Sequence, residues 1–359
     1  MAFLRNYWYV AATADEIPAM GMLGRRICGE SVVLFRGEDG RARALEDRCC
    51  HRRYPLSKGS VEGCSIRCGY HGMVFNAEGQ CTEIPGQPTI PKQAYVKRYQ
   101  VIERHRWIWI WIGDEENADP TNIPDYHWFD DPQWRGKSTR FHVRANFKLI
   151  VENLLDLSHL AFVHTSTIGN RAVVDSATVS FDRGDNEVRV NRWMRNVPPP
   201  PSYRRASVLP FERVDRWQII HFMPPAFCRL YVGAMKPGMT EDEVISAEKM
   251  EWLNLNAVTP ETETTTHYFW GQVHNHDLDK PELTELIFKE VEKAFLEDRD
   301  VFEEQQKAIS EGINRTEVNT FADVGALHAV RIIDRLLREQ DTAMGQSITP
   351  DQLSYGPHW

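Results

Sequence analysis

The first third of the chain alternates short apolar segments with glycine-containing turns, a pattern that predicts β-strands. The segments at 25–37, 41–49, 65–81 and 104–113 are rich in β-branched and aromatic side chains. In the last of them Trp and Ile alternate from Trp107 to Ile112, so both faces of the strand carry large apolar groups. Because both faces need cover, we expect this strand to be central in its sheet or clamped between domains.

The pattern changes after residue 113. Residues 113–132 are polar, acidic and interrupted by proline, which indicates a linker. Helical periodicity extends from Asn146 to Val163 and returns at 281–310 and 325–340, whereas residues 177–270 again have the pattern of strands. We therefore predict an all-β domain over residues 1–115 and an α+β domain over residues 116–359.

Composition narrows the class of protein. The chain has 359 residues, of which 42% are hydrophobic and 26% charged, as in ordinary globular proteins of more than one domain. A net charge of −9 argues against nucleic-acid binding, which needs a basic surface. The sequence has neither a long apolar run nor a signal-peptide pattern, so we expect no membrane span and a cytoplasmic location.

Five of the seven cysteines lie within 33 residues, and two of them form a motif with histidines. Cys49-x-His51 is followed, after sixteen residues, by Cys68-x-x-His71. Thiolates and imidazoles bind either zinc or a 2Fe-2S cluster with two cysteines on one iron and two histidines on the other. Structural zinc sites usually begin with a Cys pair and end with a His pair, so the mixed pairs favour the cluster; a zinc knuckle is the alternative.

The neighbouring cysteines lack this pairing. Cys64 has no histidine two or three residues after it, and Cys50 lies between two proposed ligands, followed by Arg53 and Tyr54. We expect Cys50, Cys64 and Cys81 to be small packing or strand residues. In a reducing compartment such crowding indicates a metal site more than disulfides.

A second group of candidate ligands lies in the segment that begins at Asn153. Asn153, Asp156 and His159 share one broad side of a helix, but His164 points about 140° away from His159 at 100° per residue. If both histidines bind one metal, the helix must end or carry a π-bulge between them. Two ordinary histidines are the alternative.

A carboxylate in the late helix completes this group. Asp298 falls in the apolar stripe of residues 283–305, whereas Glu297 and Asp300 fall outside it. A buried carboxylate needs a counter-charge or a metal, and two histidines with one carboxylate form the facial triad of non-haem Fe(II) oxygenases. A salt bridge is the alternative for Asp298. His274-x-His276 also has ligand-like spacing, but we expect it in an exposed loop.

Further segments, together with these motifs, resemble the Rieske non-haem iron oxygenases, most closely their vanillate O-demethylase and dicamba monooxygenase branch. These segments are NYWYVA at 6–11, N-x-x-D-x-x-H-x(4)-H at 153–164, VDRWQI at 214–219, TPETET at 259–264, YFWG at 268–271 and FLEDRDVFEEQQ at 295–306. The resemblance covers nearly the whole chain.

The resemblance implies an α+β architecture: an N-terminal all-β Rieske domain and a C-terminal helix-grip-like catalytic domain with an antiparallel sheet and helices. It also implies a Rieske 2Fe-2S cluster and a mononuclear non-haem Fe(II). The implied ligands are Cys49, His51, Cys68 and His71 for the cluster and His159, His164 and Asp298 for the iron.

It further implies a head-to-tail homotrimer in which the cluster of one subunit faces the mononuclear iron of the next. Asp156 would bridge the two centres by accepting hydrogen bonds from His71 and His159, which would orient these imidazoles. Asn153 would lie beside the iron. The resemblance also places Met223 and Asn256 at positions of the substrate pocket.

The implied activity is that of a terminal oxygenase component. An NAD(P)H-dependent flavin reductase with a 2Fe-2S group, or a separate ferredoxin, would reduce the Rieske cluster, which would supply electrons for O2 activation beside a small aromatic substrate. We expect O-demethylation of a methoxylated aromatic acid with release of formaldehyde. The alternatives are ring dihydroxylation, N-demethylation of another aryl substrate and, from a different class, a Rieske electron carrier or a zinc-structured binding protein.

Overall fold

The computed structural model describes residues 3–206, 209–239, 249–312, 317–343 and 345. The chain forms two compact units, which we call the N-terminal and C-terminal units. The N-terminal unit comprises Arg5–Asp125 and Thr259–Thr262, and the C-terminal unit comprises Met1–Leu4, Tyr126–Val258 and Glu263–Trp359. These units divide after Asp125, within the predicted linker; the domain boundary at residue 115 stays a prediction.

The N-terminal unit is built from short antiparallel strands, as its alternating pattern predicts. They are β1 (Tyr7–Thr13), β2 (Met22–Ile27), β3 (Glu30–Arg36), β4 (Ala42–Glu46), β5 (Ser60–Glu62), β6 (Ser65–Arg67), β7 (Val74–Phe75), β8 (Cys81–Glu83), β9 (Arg98–Tyr99), β10 (Val101–Arg104) and β11 (Trp107–Ile112). They form three sheets, with the orders β1-β11-β10, β2-β3-β4-β9 and β5-β6-β7-β8. All six residues of β11 are buried and the strand is central in its sheet, which confirms the prediction from its two apolar faces.

The C-terminal unit contains one seven-stranded antiparallel sheet. Its strands are β12 (Arg135–Val143), β13 (Ala177–Arg183), β14 (Val188–Val197), β15 (Val214–Met223), β16 (Phe227–Met235), β17 (Lys249–Pro260, which runs on into the N-terminal unit) and β18 (Thr266–His274). They are ordered β12-β18-β17-β16-β15-β14-β13. The sequence pattern predicts strands from residue 177 onward, but it misses β12. The sequence of β12 is largely polar, and it is a strand because it pairs along its whole length with β18.

Five helices of the described ranges accompany this sheet: α1 (Phe147–Leu155), α2 (Ala172–Asp175), α3 (Pro201–Arg205), α4 (Pro281–Ser310) and α5 (Val324–Ala343). The two late helices match the predicted ranges. The long α4 packs against β12 and β18, where the Trp270 ring lies 4.9 Å from the rings of Phe288 and Phe295. Helix α5 packs against β13, β14 and α1. Within these ranges, none of the helices is both long and apolar enough to span a bilayer.

The helix predicted over 146–163 is broken by the backbone of Asp156. Helix α1 ends at Leu155, and Asp156 is extended, with φ −111° and ψ 97°. The Asp156 carboxylate then caps a 3-10 helix over Leu157–Ala161 by accepting a hydrogen bond from the Ser158 amide. His159 and His164 can bind one metal only if the helix is interrupted between them. The α-helix changes to a 3-10 helix, which itself ends at Ala161, between the two histidines.

The structure corrects the expectation that His274 and His276 lie in an exposed loop. His274 is the last residue of β18 and is buried, with Nε2 bonded to the Thr284 hydroxyl at 2.8 Å and Nδ1 to the His276 carbonyl oxygen at 2.9 Å. The His276 ring stacks on Trp252, and neither of its nitrogens has a hydrogen-bond partner among the described residues. Packing of β18 against α4 therefore buries a segment that looks polar in sequence.

His276 makes the stability of the fold pH-dependent. Burial, with the charge of His274, lowers the pKa of His276 from 6.5 to about 4, so the unfolded chain binds more protons between these values. Stability is complete above about pH 6.5 and decreases as the pH falls toward 4, by about 2 kcal/mol at pH 5. In thermal unfolding at pH 7.5 and pH 5, we expect His276→Gln to lose less stability than the unmodified chain. Equal losses in the two proteins would contradict this assignment.

Candidate metal centres

The Cys49 and Cys68 motifs lie on two loops of the N-terminal unit that approach each other closely. The first loop follows β4, and the second connects β6 to β7. Gly69 lies against the Lys58 carbonyl oxygen, which a Cβ atom at Gly69 would approach to 2.6 Å. Only a residue without a side chain lets the loops come this close.

The four predicted cluster ligands are brought together as two unlike pairs. Cys49 and Cys68 are buried in one hydrophobic core, where they are 3% and 2% exposed. The rings of His51 and His71 are solvent-exposed and their centroids lie 4.5 Å apart. The Tyr70 ring lies 3.8 Å from the His71 ring. Buried thiols on one side and exposed imidazoles on the other match the unequal halves of a Rieske cluster.

The chemistry of the cysteine pair fits a bound cation. Burial raises the pKa of the Cys49 thiol to about 11, and its hydrogen bond with Cys68 also raises it. Two neighbouring thiolates in a hydrophobic core are therefore unfavourable unless a metal compensates their charge. This pair could hold one iron of a 2Fe-2S cluster, and the two histidines the other.

The remaining cysteines differ from one another. Cys81 begins β8 and is buried in the same core, which confirms its predicted packing role. Cys64 is half-buried in the turn between β5 and β6. Cys50 is exposed on the ligand loop, so the expectation that it packs as a small core residue is wrong. It faces outward because its two neighbours, Cys49 and His51, turn toward the core and the His71 ring respectively.

The second set of predicted ligands converges in the C-terminal unit. Among the described residues, ligand atoms of His159, His164 and Asp298 all lie within 4.8 Å of one another. Asp298 Oδ1 is 3.0 Å from His164 Nε2 and 3.4 Å from His159 Nε2. His164 and Asp298 are buried, and His159 is half-buried. As predicted, the buried face of α4 includes Asp298.

The orientation of both imidazoles suits metal binding. His159 Nδ1 donates to the Asp156 carbonyl oxygen at 2.6 Å, and His164 Nδ1 donates to Glu297 Oε2 at 2.8 Å. In the neutral rings, both Nε2 lone pairs then face Asp298 Oδ1. Three acceptors directed at one point are favourable only around a cation or a proton, and two His with one carboxylate suit Fe(II).

The pKa values of Asp298 and His164 depend on both burial and the charged groups beside them. Burial disfavours the Asp298 carboxylate, but when His159 and His164 also carry a proton at Nε2, their hydrogen bonds to this carboxylate outweigh burial and lower the pKa of Asp298 to about 2. Burial by itself lowers the pKa of His164, but the carboxylates of Asp298 and Glu297 outweigh burial, so the pKa of His164 is raised overall. Asp298 is therefore ionised at neutral pH.

Sequence reasoning missed Glu297. It falls outside the apolar stripe of α4, yet its carboxylate reaches the buried His164 ring. A carboxylate that accepts from a ligating histidine fixes the tautomer and orientation of that ring. The signal in the sequence is its place immediately before Asp298, because consecutive helix residues can contact opposite sides of one metal ligand.

Glu297→Gln should weaken iron binding while the fold is retained. An amide is a weaker acceptor than a carboxylate, so we expect about 10- to 100-fold lower iron affinity or turnover. Metal titration of the apo C-terminal site and turnover assays measure these effects. Glu304→Gln, on the same helix and paired with Lys307 at the surface, is the matched control. Full iron affinity in Glu297→Gln would show that this carboxylate does not position His164.

Asn153 and Asp156 lie beside this centre but make different contacts. Asn153 Nδ2 donates to Asp298 Oδ1 at 3.2 Å, which holds the carboxylate toward the histidines. The Asp156 carboxylate accepts from the Ser158 amide and hydroxyl, both at 2.9 Å. Within this chain His159 therefore bonds to the Asp156 carbonyl oxygen and not to its carboxylate, because capping of the 3-10 helix directs that carboxylate to Ser158.

A largely apolar cavity adjoins the three ligands in the C-terminal unit. Its lining includes all three ligands and Asn153, together with leucines 154, 157, 160 and 230, Phe295 and Trp252. Polar lining residues from the sheet are Arg216, Gln218, Asn254 and Gln272.

Neither Met223 nor Asn256 is among the residues that line this cavity, and their assignment to the substrate pocket stays a prediction. Met223 is the last residue of β15. The Asn256 side chain is engaged within the sheet, donating to the Cys228 carbonyl oxygen and accepting from the Tyr268 hydroxyl. Asn254, two residues earlier on the same face of β17, lines the cavity.

Two protein families match this chain. Residues 7–100 match the Rieske [2Fe-2S] domain, and residues 143–339 match the vanillate O-demethylase oxygenase C-terminal domain. The first range contains the two Cys/His loops, and the second contains the three converging ligands. These matches decide against the zinc-structured alternative, since the N-terminal unit is a Rieske domain.

Relatives of known activity match over nearly their whole length. The toluene-4-sulfonate monooxygenase iron-sulfur subunit TsaM1 of Comamonas testosteroni is 43% identical over 94% of this chain and 98% of its own. A vanillate O-demethylase oxygenase subunit from a Pseudomonas species is 38% identical over 95% of this chain and 97% of its own. Crystalline dicamba monooxygenase with 3,6-dichlorosalicylic acid has a TM-score of 0.88 at 30% identity, covering 95% of this chain and 99% of that one.

Proposed function

This chain belongs to the Rieske oxygenases that have a vanillate O-demethylase C-terminal domain, and we propose that its substrate is a small aromatic acid. It is the oxygenase component of a multi-component monooxygenase system. Its cofactors are a Rieske 2Fe-2S cluster and a mononuclear non-haem iron. The observation that carries the substrate proposal is the apolar cavity, whose lining includes His159, His164 and Asp298 and a buried arginine.

Each centre has a defined set of ligands in this proposal. Cys49, Cys68, His51 and His71 hold the cluster, and His159, His164 and Asp298 hold the iron. When bound, these groups supply electrons and activate dioxygen, chemistry that no side chain provides. The chain orients the iron ligands through Glu297 and Asn153, and its leucine-rich cavity wall excludes water from the substrate.

The reaction that we favour is O-demethylation of a methoxylated aromatic acid. One oxygen atom of O2 enters the methyl group and the other becomes water, with NAD(P)H supplying two electrons. The resulting hemiacetal breaks its C–O bond to give a phenol and formaldehyde. Relatives named as O-demethylases support this reaction, among them the vanillate enzyme at 38% identity.

An aromatic sulfonate is the second candidate substrate. Two relatives with 43% identity are named for toluene-4-sulfonate, which carries a methyl group and no methoxy group. Vanillate and toluene-4-sulfonate are both aromatic anions, so the two candidates agree on the charge of the substrate and differ in the oxidised group.

The partners in this proposal follow the family. An NAD(P)H-dependent flavin reductase with a 2Fe-2S group, or a separate ferredoxin, reduces the cluster, and the chain assembles as a homotrimer. In that assembly the Asp156 carboxylate lies at the path between the centres of neighbouring subunits. No disulfide joins any of the seven cysteines, which supports a cytoplasmic location.

A substrate panel tests the reaction. The purified holoenzyme and a family reductase are incubated under labelled O2 with vanillate, 4-methoxybenzoate, toluene-4-sulfonate and an N-methyl aromatic acid. Formaldehyde together with a phenol confirms O-demethylation, whereas a labelled alcohol from toluene-4-sulfonate supports the second candidate. Two labelled oxygens on the ring would show a dioxygenase and contradict both.

A further inference from the structure

Arg216 is a buried cation in the wall of the cavity that contains the iron ligands. It lies on β15, is 1% exposed and lines the cavity together with His159, His164 and Asp298. Its Nε and Nη1 atoms have no hydrogen-bond partner among the residues that the structure describes. Its guanidinium carbon lies 5.4 Å from the centre of the Tyr203 ring.

An arginine in this position is costly for the protein. Its guanidinium stays charged when buried, and an uncompensated buried charge destabilises a fold by several kcal/mol. The nearby Arg192 is also buried, but Arg192 donates to the Val173 carbonyl oxygen and experiences the negative charge of Asp156. Among the residues that the structure describes, Arg216 has no comparable anion, and its positive charge repels that of Arg192.

Two neighbours of Arg216 in the cavity wall also have unused polar atoms. Gln218 lies two residues further along β15, on the same face, and its Oε1 has no partner among the described residues. The register Gln218↔Val232↔Trp252 places Trp252 in the same row of the sheet, and its Nε1 is likewise without a partner there. Buried polar groups in proteins are normally hydrogen-bonded, so three such groups around one cavity indicate a polar ligand.

We infer that Arg216 binds the anionic group of the substrate, a carboxylate or sulfonate, and so selects aromatic acids over neutral aromatic compounds. The guanidinium offers two parallel N–H donors to two oxygens of such an anion. Trp252 Nε1 offers a further donor, and Gln218 Oε1 accepts from a substrate hydroxyl. This inference rests on the proposed function and assigns the substrate specificity of that function to Arg216.

Binding measurements on the holoenzyme test the inference without turnover. Calorimetry compares 4-methoxybenzoate, toluene-4-sulfonate and the neutral 4-methoxybenzamide. A hydrogen-bonded ion contributes about 1.5–3 kcal/mol, so Arg216→Met should weaken binding of the anions about 10- to 150-fold and leave the amide nearly unchanged. Arg216→Lys keeps the charge but loses the paired donors, and its affinity for the anions should be intermediate.

Controls separate a binding role from a structural one. Arg229→Met removes an arginine from the neighbouring strand, where Arg229 contacts Trp128 outside the cavity, and should not alter binding of any of the three compounds. If Arg216→Met does not fold, the unmodified holoenzyme still tests the inference, because it must bind 4-methoxybenzoate at least about 10-fold more tightly than the amide. Equal affinity for the acid and the amide would overturn the inference, as would unchanged anion binding in folded Arg216→Met.

The outcomes also separate this inference from the proposed function. Arg216-dependent binding of aromatic anions without their oxidation would support the anion site and contradict the reaction. Oxidation of neutral aryl ethers with no effect of Arg216→Met would support the oxygenase reaction and overturn the anion site. Preference for toluene-4-sulfonate over 4-methoxybenzoate would identify the anion as a sulfonate.

Discussion

Asp298→Ala should abolish turnover while the protein keeps the colour of its Rieske cluster. Asp298 supplies the only carboxylate that contacts both His159 and His164 within the described residues. Its loss leaves two neutral imidazoles, a set that binds Fe(II) much more weakly than two histidines with a carboxylate. We expect about one iron fewer per chain and a loss of turnover of at least about 100-fold, since removing even a partner of a ligand costs up to that amount.

Iron analysis, visible absorption and a coupled turnover assay measure the three parts of this prediction. Asp300→Asn is the matched control, because Asp300 lies two residues after Asp298 on the same helix and its carboxylate is largely exposed. It should keep full iron content and activity. Undiminished turnover in Asp298→Ala would contradict the ligand assignment, as would loss of the cluster absorption, which belongs to the other unit.

Cys68→Ser should remove the cluster and leave the mononuclear site able to bind iron. Cys68 is buried beside Cys49 in the core, and a hydroxyl there is a poor replacement for a thiolate toward iron. We expect the visible absorption to disappear, about two irons per chain to be lost and reductase-dependent turnover to cease. Absorption and electron paramagnetic resonance of the reduced protein report on the cluster directly.

Cys64→Ser is the matched control for this prediction. Cys64 lies four residues before Cys68, but it is half-buried in the turn before β6. It should keep the full spectrum. A Cys68→Ser protein that retains a Rieske spectrum would mean that another cysteine supplies the ligand, and Cys64 would be the first candidate.

The sequence alone was sufficient to predict the candidate metal ligands, and the structure brings them together in two sets. Cys and His side chains with this order and spacing are rare, and their chemistry is a property of the residue types, whatever the surrounding fold. The apolar period of α4 likewise placed Asp298 on a buried face, which the structure confirms. Strong local periodicity is also why the range of α4 and the central position of β11 were predictable.

Other features depended on contacts between distant segments. Strand β12 has a polar sequence and exists because it pairs with β18, more than 120 residues away. The helix over 146–163 ends early because Asp156 caps a second, shorter helix. His274 is buried because β18 packs against α4. None of these contacts produces a periodic pattern of apolar residues in the segment concerned, so the local sequence could not predict them.

The sequence therefore determined which metals this protein uses and predicted which residues hold them, because ligand chemistry is local. Only the tertiary structure decided what surrounds them. Glu297 contacts His164 across 133 residues of sequence, and the pairing of β15, β16 and β17 brings Gln218 and Trp252 together in the wall of one cavity. In the proposed function, substrate selection depends on which side chains of neighbouring strands meet at this cavity, and strand register sets that arrangement.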